Sequence, residues 1–333
     1  MNVPNVPSVP LDPLADPLVL NQKLAHGTEL PVLGRRVVFE SNSSAVLEAV
    51  DRSFGIWARL PESLRDSAPV CRVRLFVEDG EESATRPALR YMLPEPNRLI
   101  FSTGKSVGVA EVDRGEAYAF VTTGLVACDT HFRYGVIEAL TLNLVTGTGR
   151  HPVHAATVVR NGRALLLAGP SGVGKSTLAY AASRAGLEVR GDEAAYVQLR
   201  PALRLWGMPG RVRLSTVGAA HFPELSEVPP VSGVNGKPKV VVDFDVGEGA
   251  LRPVERVVVC LLSEGDGPAR VERVEASEIL HGLTSQVEPG FDLNPEEGWL
   301  VAERLAQGGG WRVGLSKDPF DAVPLLEEIF DAL

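Results

Sequence analysis

The sequence predicts an α/β protein in two parts: an α+β region over residues 21–149 and a larger domain over residues 150–333. Three observations carry this. The 333 residues are 44% hydrophobic and 23% charged, ordinary values for a globular chain of one or two domains. Between Cys71 and Val126 the chain breaks into short strand-like stretches punctuated by Gly, Pro and Asp, the pattern of a sheet. Near the middle, an apolar run, a glycine-rich loop and a helix-prone stretch follow one another directly.

Residues 1–20 carry Pro4, Pro7, Pro10, Pro13 and Pro17 and have neither the basic start nor the apolar core of a secretory signal, so they read as a disordered tail. Arg36–Glu40 reads as a strand. Ser41-Asn42-Ser43-Ser44 offers helix caps, and Val46, Leu47, Val50 and Phe54 then share one helical face. Strands are expected at Val73–Val77, Leu99–Ser102, Val107–Val112 and Ala117–Thr122. Tyr134–Leu144 reads as a helix with Val136, Ile137, Leu140 and Leu144 inward, and Thr146–Arg150 as a flexible hinge at the domain boundary.

In the second part, Ala155–Arg160 and Arg163–Ala168 flank Asn161-Gly162, a dipeptide suited to the left-handed turn of a tight hairpin. Further strands are expected near Glu188–Arg190, Ala195–Leu199, Leu203–Trp206, Val212–Leu214, Lys239–Asp245, Val254–Leu262 and Trp311–Leu315. A closing helix is expected from Asp321, as N-cap, with Pro324 in its first turn.

The totals narrow the function. A net charge of −9 suits a broad phosphate-backbone partner poorly, so no nucleic acid is expected, although a small phosphorylated ligand can be held by a few amides. The apolar run Val257–Leu262 spans six residues against the roughly 20 of a membrane helix, so no membrane partner is expected. Cys71, Cys128 and Cys260 form no CxxC pair, which argues against a disulfide scaffold or a zinc knuckle; the expected compartment is the cytoplasm.

The chemistry is concentrated in Gly169-Pro170-Ser171-Gly172-Val173-Gly174-Lys175-Ser176, which fits G-x-x-x-x-G-K-[ST] at every position. Ala164–Ala168 leads in as a buried strand, Thr177–Arg184 leads out as a helix, and Gly186 stands where a C-terminal cap belongs. Glycines let successive N–H groups turn toward phosphate oxygens, and the following helix aims its positive end at the same place. Residues 169–177, from Gly169 to Thr177, are therefore candidate nucleotide contacts: Lys175 as a point charge on the β- and γ-phosphates, Ser176 in a Mg²⁺ shell. A guanine-reading N-K-x-D is absent; the nearest stretch, Gly236–Lys239, lacks both the Asn and the Asp.

Gly191-Asp192-Glu193 follows a strand end 17 positions after Lys175, where a carboxylate can hold Mg²⁺ or take a proton from an attacking hydroxyl. His154 starts the strand that pairs with the loop's own strand. By itself a histidine there is more often structural, and His151 with His154 is a weak metal signal. Arg211, Arg213, Lys237 and Lys239 are candidates for neutralising transition-state charge, with ordinary surface roles at least as common for each.

His154, then Gly169–Ser176, then Asp192-Glu193 resembles the catalytic domain of the HPr kinase/phosphorylase group, well over residues 150–245 and loosely over 250–333. The resemblance implies a PEP-carboxykinase-like P-loop kinase domain with a mixed sheet, ATP and Mg²⁺ as cofactors, and possible homo-oligomers. It implies Asp192 as general base, His154 beside the acidic pair, and Glu193 in place of the second Asp, with Ser176, Asp192 and Glu193 toward the metal. The family's second signature is missing; Arg204–Arg211 comes nearest and lacks the Glu, so phosphorylase activity is not expected. The leading expectation is an ATP-dependent kinase acting on a hydroxyl, of serine or of a small molecule, with an unidentified acceptor. A non-catalytic ATP sensor of the same fold and a simple ATPase stay open as alternatives.

Overall fold

The computed structural model describes residues 23–66, 70–81, 89–95, 97–232, 237–265, 267–285 and 294–333. The expected tail lies outside them. The chain is a mixed α/β protein with several sheets.

The first part forms a seven-stranded sheet from β1 (His26–Val32), β2 (Arg35–Ser41), β3 (Cys71–Glu78), β4 (Arg90–Glu95), β5 (Arg98–Thr103), β6 (Ser106–Glu111) and β7 (Glu116–Thr122), in the order β1-β2-β3-β7-β6-β5-β4. The pairs β2/β3 and β3/β7 are parallel and the others antiparallel. Alternation drives it: Val37 and Phe39, Cys71, Val73 and Leu75, and Ala117, Ala119 and Val121 point inward on successive strands. Against that face pack α1 (Ser44–Phe54) and a helical run made of α2 (Thr123–Ala127), α3 (Asp129–Phe132), a π-helical turn (Arg133–Glu138) and α4 (Ala139–Thr146). The sequence anticipates the helix but not its π turn, which re-aims Tyr134 and Glu138.

The expected hinge is not loose. Arg150 is fully buried, donates from Nε to Leu33 O at 2.9 Å and from Nη2 to Asp66 at 2.7 Å, and lies 4.9 Å over the Trp206 ring. Burial, with Arg35 nearby, lowers its pKa to about 10, which Asp66 only partly offsets.

The second part centres on a six-stranded mixed sheet ordered β11-β9-β10-β17-β19-β18. Its flanking elements, in chain order, are β8 (His151–Val153), β9 (Ala155–Arg160), β10 (Arg163–Ala168), α5 (Lys175–Arg184), β11 (Glu188–Val189), β12 (Ala195–Gln198), β13 (Arg204–Trp206), β14 (Arg211–Ser215), α6 (Thr216–Ala219), β15 (Val231–Ser232), β16 (Pro238–Asp243), β17 (Arg256–Glu264), β18 (Arg270–Val274), α7 (Ala276–Thr284), α8 (Pro295–Ala306), β19 (Gly310–Leu315) and α9 (Val323–Asp331). β10, β17 and β19 run parallel, and β9 pairs antiparallel with β10 through Asn161 (φ 52°) and Gly162 (φ 72°), the left-handed pair a tight turn requires. Small sheets β13-β12-β8 and β14-β16-β15 lie alongside.

The two parts share apolar packing: Tyr196, Trp206 and Leu251 join the first sheet's core, with Trp57 and Trp206 rings 6.3 Å apart. Asp321 is not the cap of the last helix; its carboxylate takes the Ser316 hydroxyl at 2.7 Å, while Asp318 caps the preceding turn and Pro324 sits in the first turn of α9 as expected. The three cysteines are free. Among the described residues no helix is long and apolar enough to cross a membrane.

Candidate active site

β10 is buried along nearly its whole length and delivers the chain to Gly169 beside Leu262 of its parallel neighbour β17. Gly172 and Gly174 hold φ values of 87° and 110°, a left-handed conformation that side chains resist. A Cβ at Gly172 would meet nothing within 4 Å, so that glycine is needed for its backbone angle and leaves open space above the loop. Gly174 precedes α5, whose ten residues start at Lys175, so the unpaired N–H groups of the first turn face the loop. The Lys175 ammonium is buried and donates to the carbonyls of Gly169 (2.8 Å) and Pro170 (3.1 Å).

Asp192 lies across from this loop. It is buried, its Oδ2 accepts the Arg213 backbone N–H at 2.7 Å, and the Ser176 side chain lies close enough to favour its charged form. Burial first, then the neighbouring Glu193 charge, pushes its pKa up to about 6 against the pull of that hydrogen bond, of Arg213 and of Ser176. A carboxyl poised there is a competent proton acceptor near neutral pH.

Glu193 turns the other way. Its carboxylate forms an ion pair with Arg213, whose guanidinium also reaches Glu138 at 3.8 Å and covers the Tyr134 ring at 4.2 Å. Burial works against the Arg213 charge, but Glu193 and Glu138 outweigh it and its pKa ends raised. Burial raises the pKa of Glu138, while Arg213, Arg133 and Arg211 oppose that rise. Arg211 bonds Asp243 at 2.7 Å and the Tyr134 hydroxyl. His154 falls between β8 and β9. Since Ala155 pairs with Ala168 and Val153 with Ala195, its backbone position lies between the loop start and the Gly191–Ala194 turn.

Of the residues the sequence singled out, Lys175, Ser176, Asp192, Glu193 and Arg213 therefore converge, and His154 stands at the same strand ends. Lys239 lies on β16, opposite Ser215 of β14. Tyr134 and Glu138 carry no motif. Both lie in the π turn and meet Arg213 there, and the sequence held no signal for that turn.

Two hollows adjoin this centre. One of about 820 Å³ lies between the first part's helices and the Gly191–Arg213 side; Asp192, Glu193, Arg211 and Arg213 line it, but no residue of 169–176 does. A depression of about 390 Å³ runs from Gly169 and Pro170 to α7.

Ser176 and Asp192 put two hard oxygen donors side by side, which suits Mg²⁺, an ion that takes one or two protein ligands and completes its shell with phosphate and water. Glu193 is already engaged by Arg213. Among the described residues no group of three or more His, Cys, Asp or Glu side chains converges on a metal-sized point.

No protein-family model matches the chain, and no curated protein does. Among solved structures it is similar to an Hpr(Ser) kinase/phosphatase from Coxiella burnetii, at 14% identity over 54% of this chain and 94% of that one, with a TM-score of 0.27. A likeness that loose settles neither fold family nor activity.

Proposed function

We propose that this chain is an ATP-dependent phosphotransferase with a PEP-carboxykinase-like P-loop domain, moving the γ-phosphoryl group to a hydroxyl. The observation that carries the reading is the placement of the buried Asp192 beside Ser176 of the loop, its Oδ2 held by the Arg213 N–H and its pKa pushed by burial up to about 6, which suits a base. The loop amides and the α5 N-terminus bind the phosphates, and Lys175 leaves its carbonyl partners to meet the β- and γ-oxygens. The acceptor O–H gives its proton to Asp192 as its oxygen bonds to the γ-phosphorus. The bond from that phosphorus to the bridging oxygen breaks, and ADP leaves. Ser176 and Asp192 would hold Mg²⁺, which would supply charge neutralisation on the phosphate oxygens. Glu193 and Glu138 hold Arg213, which fixes the backbone N–H that Asp192 accepts.

A second reading, a nucleotide sensor without transfer, is favoured by the engagement of Glu193 with Arg213, which leaves one acidic residue rather than two for the metal. The direct trial is incubation with γ-labelled ATP, Mg²⁺ and candidate acceptors beside calorimetric nucleotide titration. Binding with label never leaving ATP selects the sensor; phosphate release without a labelled acceptor selects an ATPase.

A further inference from the structure

The phosphate loop holds the charged end of a nucleotide and leaves the base to be placed. We infer that the base is a purine stacked on the exposed ring of Phe320, where the turn after β19 and the short helix α6 close on the start of α5. This deepens the nucleotide-binding half of the reading above and rests on it.

The direction of exit comes first. With Lys175 on the β- and γ-phosphates, the α-phosphate falls further along the first turn of α5, beside Thr177. Two segments border that turn. Gly218 of α6 lies so close that a Cβ there would stand 2.5 Å from the Thr177 hydroxyl oxygen. Leu315, the last residue of β19, brings its Cδ1 to 3.0 Å from where a Cβ on Gly174 would be. β19 runs parallel to β17, and β17 to β10, so it ends on the sheet edge from which the loop rises. Residues 319–322 then pack against α5.

The surface between these segments is aromatic. Phe222, which follows α6, is buried, and its ring meets Tyr180 of α5 at 4.5 Å and Phe320 at 5.7 Å, both edge to face. One ring cluster therefore ties α6 and the turn after β19 to the same helix. Tyr180 and Phe222 are covered, but Phe320 is 41% exposed and Val217 of α6 is 76% exposed. The contact with Phe222 fixes the attitude of the Phe320 ring while part of it stays open, which makes a platform for a flat heteroaromatic base.

The polar groups of the turn are engaged with one another. The Ser316 hydroxyl donates to the Asp318 carbonyl at 2.9 Å and to the Asp321 carboxylate at 2.7 Å, and Asp318 Oδ1 accepts the Phe320 N–H at 2.9 Å. With no guanine-reading N-K-x-D in the chain either, the seat offers stacking area rather than a reader of base edges. Stacking area favours the two fused rings of a purine over the single ring of a pyrimidine. The competing seat is the depression of about 390 Å³. It adjoins Gly169 and Pro170, at the opposite end of the loop from Thr177, and its Glu278 and Arg312 are already paired at 2.7 Å.

The test is titration calorimetry on the full chain with Mg²⁺, using ATP, GTP, CTP and inorganic tripolyphosphate, which carries the charge without a nucleoside. The wild type should bind ATP and GTP within about threefold of each other and CTP about fivefold more weakly. Phe320→Leu keeps an apolar contact with Phe222 but removes the ring. It should weaken ATP and GTP about 10-fold, narrow the gap to CTP to within about twofold, and leave tripolyphosphate within about twofold of the wild type. Phe320→Trp should restore ATP affinity. Retained tripolyphosphate binding also reports that the loop of each variant is folded. ATP affinity unchanged in Phe320→Leu, an equal loss for ATP and tripolyphosphate, or a purine preference that survives the loss of the ring would overturn the inference. So would a Ser285→Trp variant, which fills the depression, that loses ATP but not tripolyphosphate. A wild type that binds tripolyphosphate as tightly as ATP removes the seat alone. A wild type that binds neither is a separate failure: it removes the nucleotide reading, and this inference with it.

Discussion

The phosphate loop and the cavity wall beyond Asp192 meet at one carboxyl yet are built in opposite ways. Eight consecutive residues make the loop, and its shape follows from local rules: a buried strand, glycines at positive φ, and a helix that opens on a lysine. The wall is gathered from α1, β4, β5, the π turn, α4 and β14, segments far apart in sequence. The shape of the loop is thus encoded locally, while the cavity wall is specified by how two regions pack. The two halves should respond differently to substitution.

The largest expected effect divides them at Asp192. Asp192→Asn keeps an oxygen for the Arg213 N–H but cannot take a proton. Phosphoryl transfer at saturating nucleotide and Mg²⁺ should fall about 10³-fold, within the range for a lost general base. The wild-type kcat/KM profile should rise through a limb near pH 6, the pKa to which burial pushes this carboxyl, and the limb should vanish in the variant. Retained transfer would remove the base assignment.

On the loop side, Lys175→Ala deletes a buried cation 2.8 Å from the Gly169 carbonyl. Titration calorimetry should show nucleotide affinity reduced by about 100-fold, roughly 2.7 kcal/mol, with transfer falling in step because ground and transition states both lose the charge. An intact affinity would mean that the loop does not hold the terminal phosphates.

The same contrast explains what could be read beforehand. The hairpin at Asn161-Gly162, the loop and the acidic pair are legible because each depends on neighbours in sequence. The strands β2, β3, β5, β6 and β7 appear where alternation places them. β1 and β4 escape notice, β4 because all six of its residues are exposed and no inward face marks it. β18, α7 and α8 also go unread, although Asn294 accepting Glu297 N–H ahead of Pro295 is an ordinary start signal. The glycines at 147 and 149 suggest looseness, yet Arg150 is pinned by Leu33, Asp66 and Trp206, partners 56 or more positions away that no local pattern announces. Glu138 and Tyr134 belong to the same class.

Arg213 sharpens the comparison on the wall side. It is half of a Glu193 pair, touches Glu138 and covers Tyr134. Arg213→Met preserves the stem but leaves Glu138 buried without its main counter-charge. Since Arg213 retains 22% side-chain exposure and Glu193 45%, the full cost of breaking a buried pair is not expected. Chemical denaturation should show a loss of about 2 kcal/mol. A loss confined to transfer, with stability intact, would instead make Arg213 a direct contact of the reacting phosphate.

The smallest effects concern pH and oppose each other across the two strand ends. His151 is buried and its pKa is lowered to about 4 by burial, against 6.5 when unfolded. The unfolded chain binds more protons between those values, so this group's contribution is complete above pH 6.5 and is lost as pH falls toward 4. Asp192 is raised to about 6 from 3.8, so its contribution is complete below 3.8 and is lost as pH rises through 6. From pH 8 to pH 5 the histidine should therefore cost about 2 kcal/mol and the aspartate return about 1 kcal/mol. Subtracting the denaturation curves of His151→Asn and Asp192→Asn from that of the wild type isolates each slope from the other titrating groups. The Asp192 variant should be more stable than the wild type at pH 8, with the gap narrowed by about 1 kcal/mol at pH 5. A gap that widened on acidification would mean that this carboxyl is stabilised as an anion by its hydrogen bonds, and a base poised near neutrality would be lost with it.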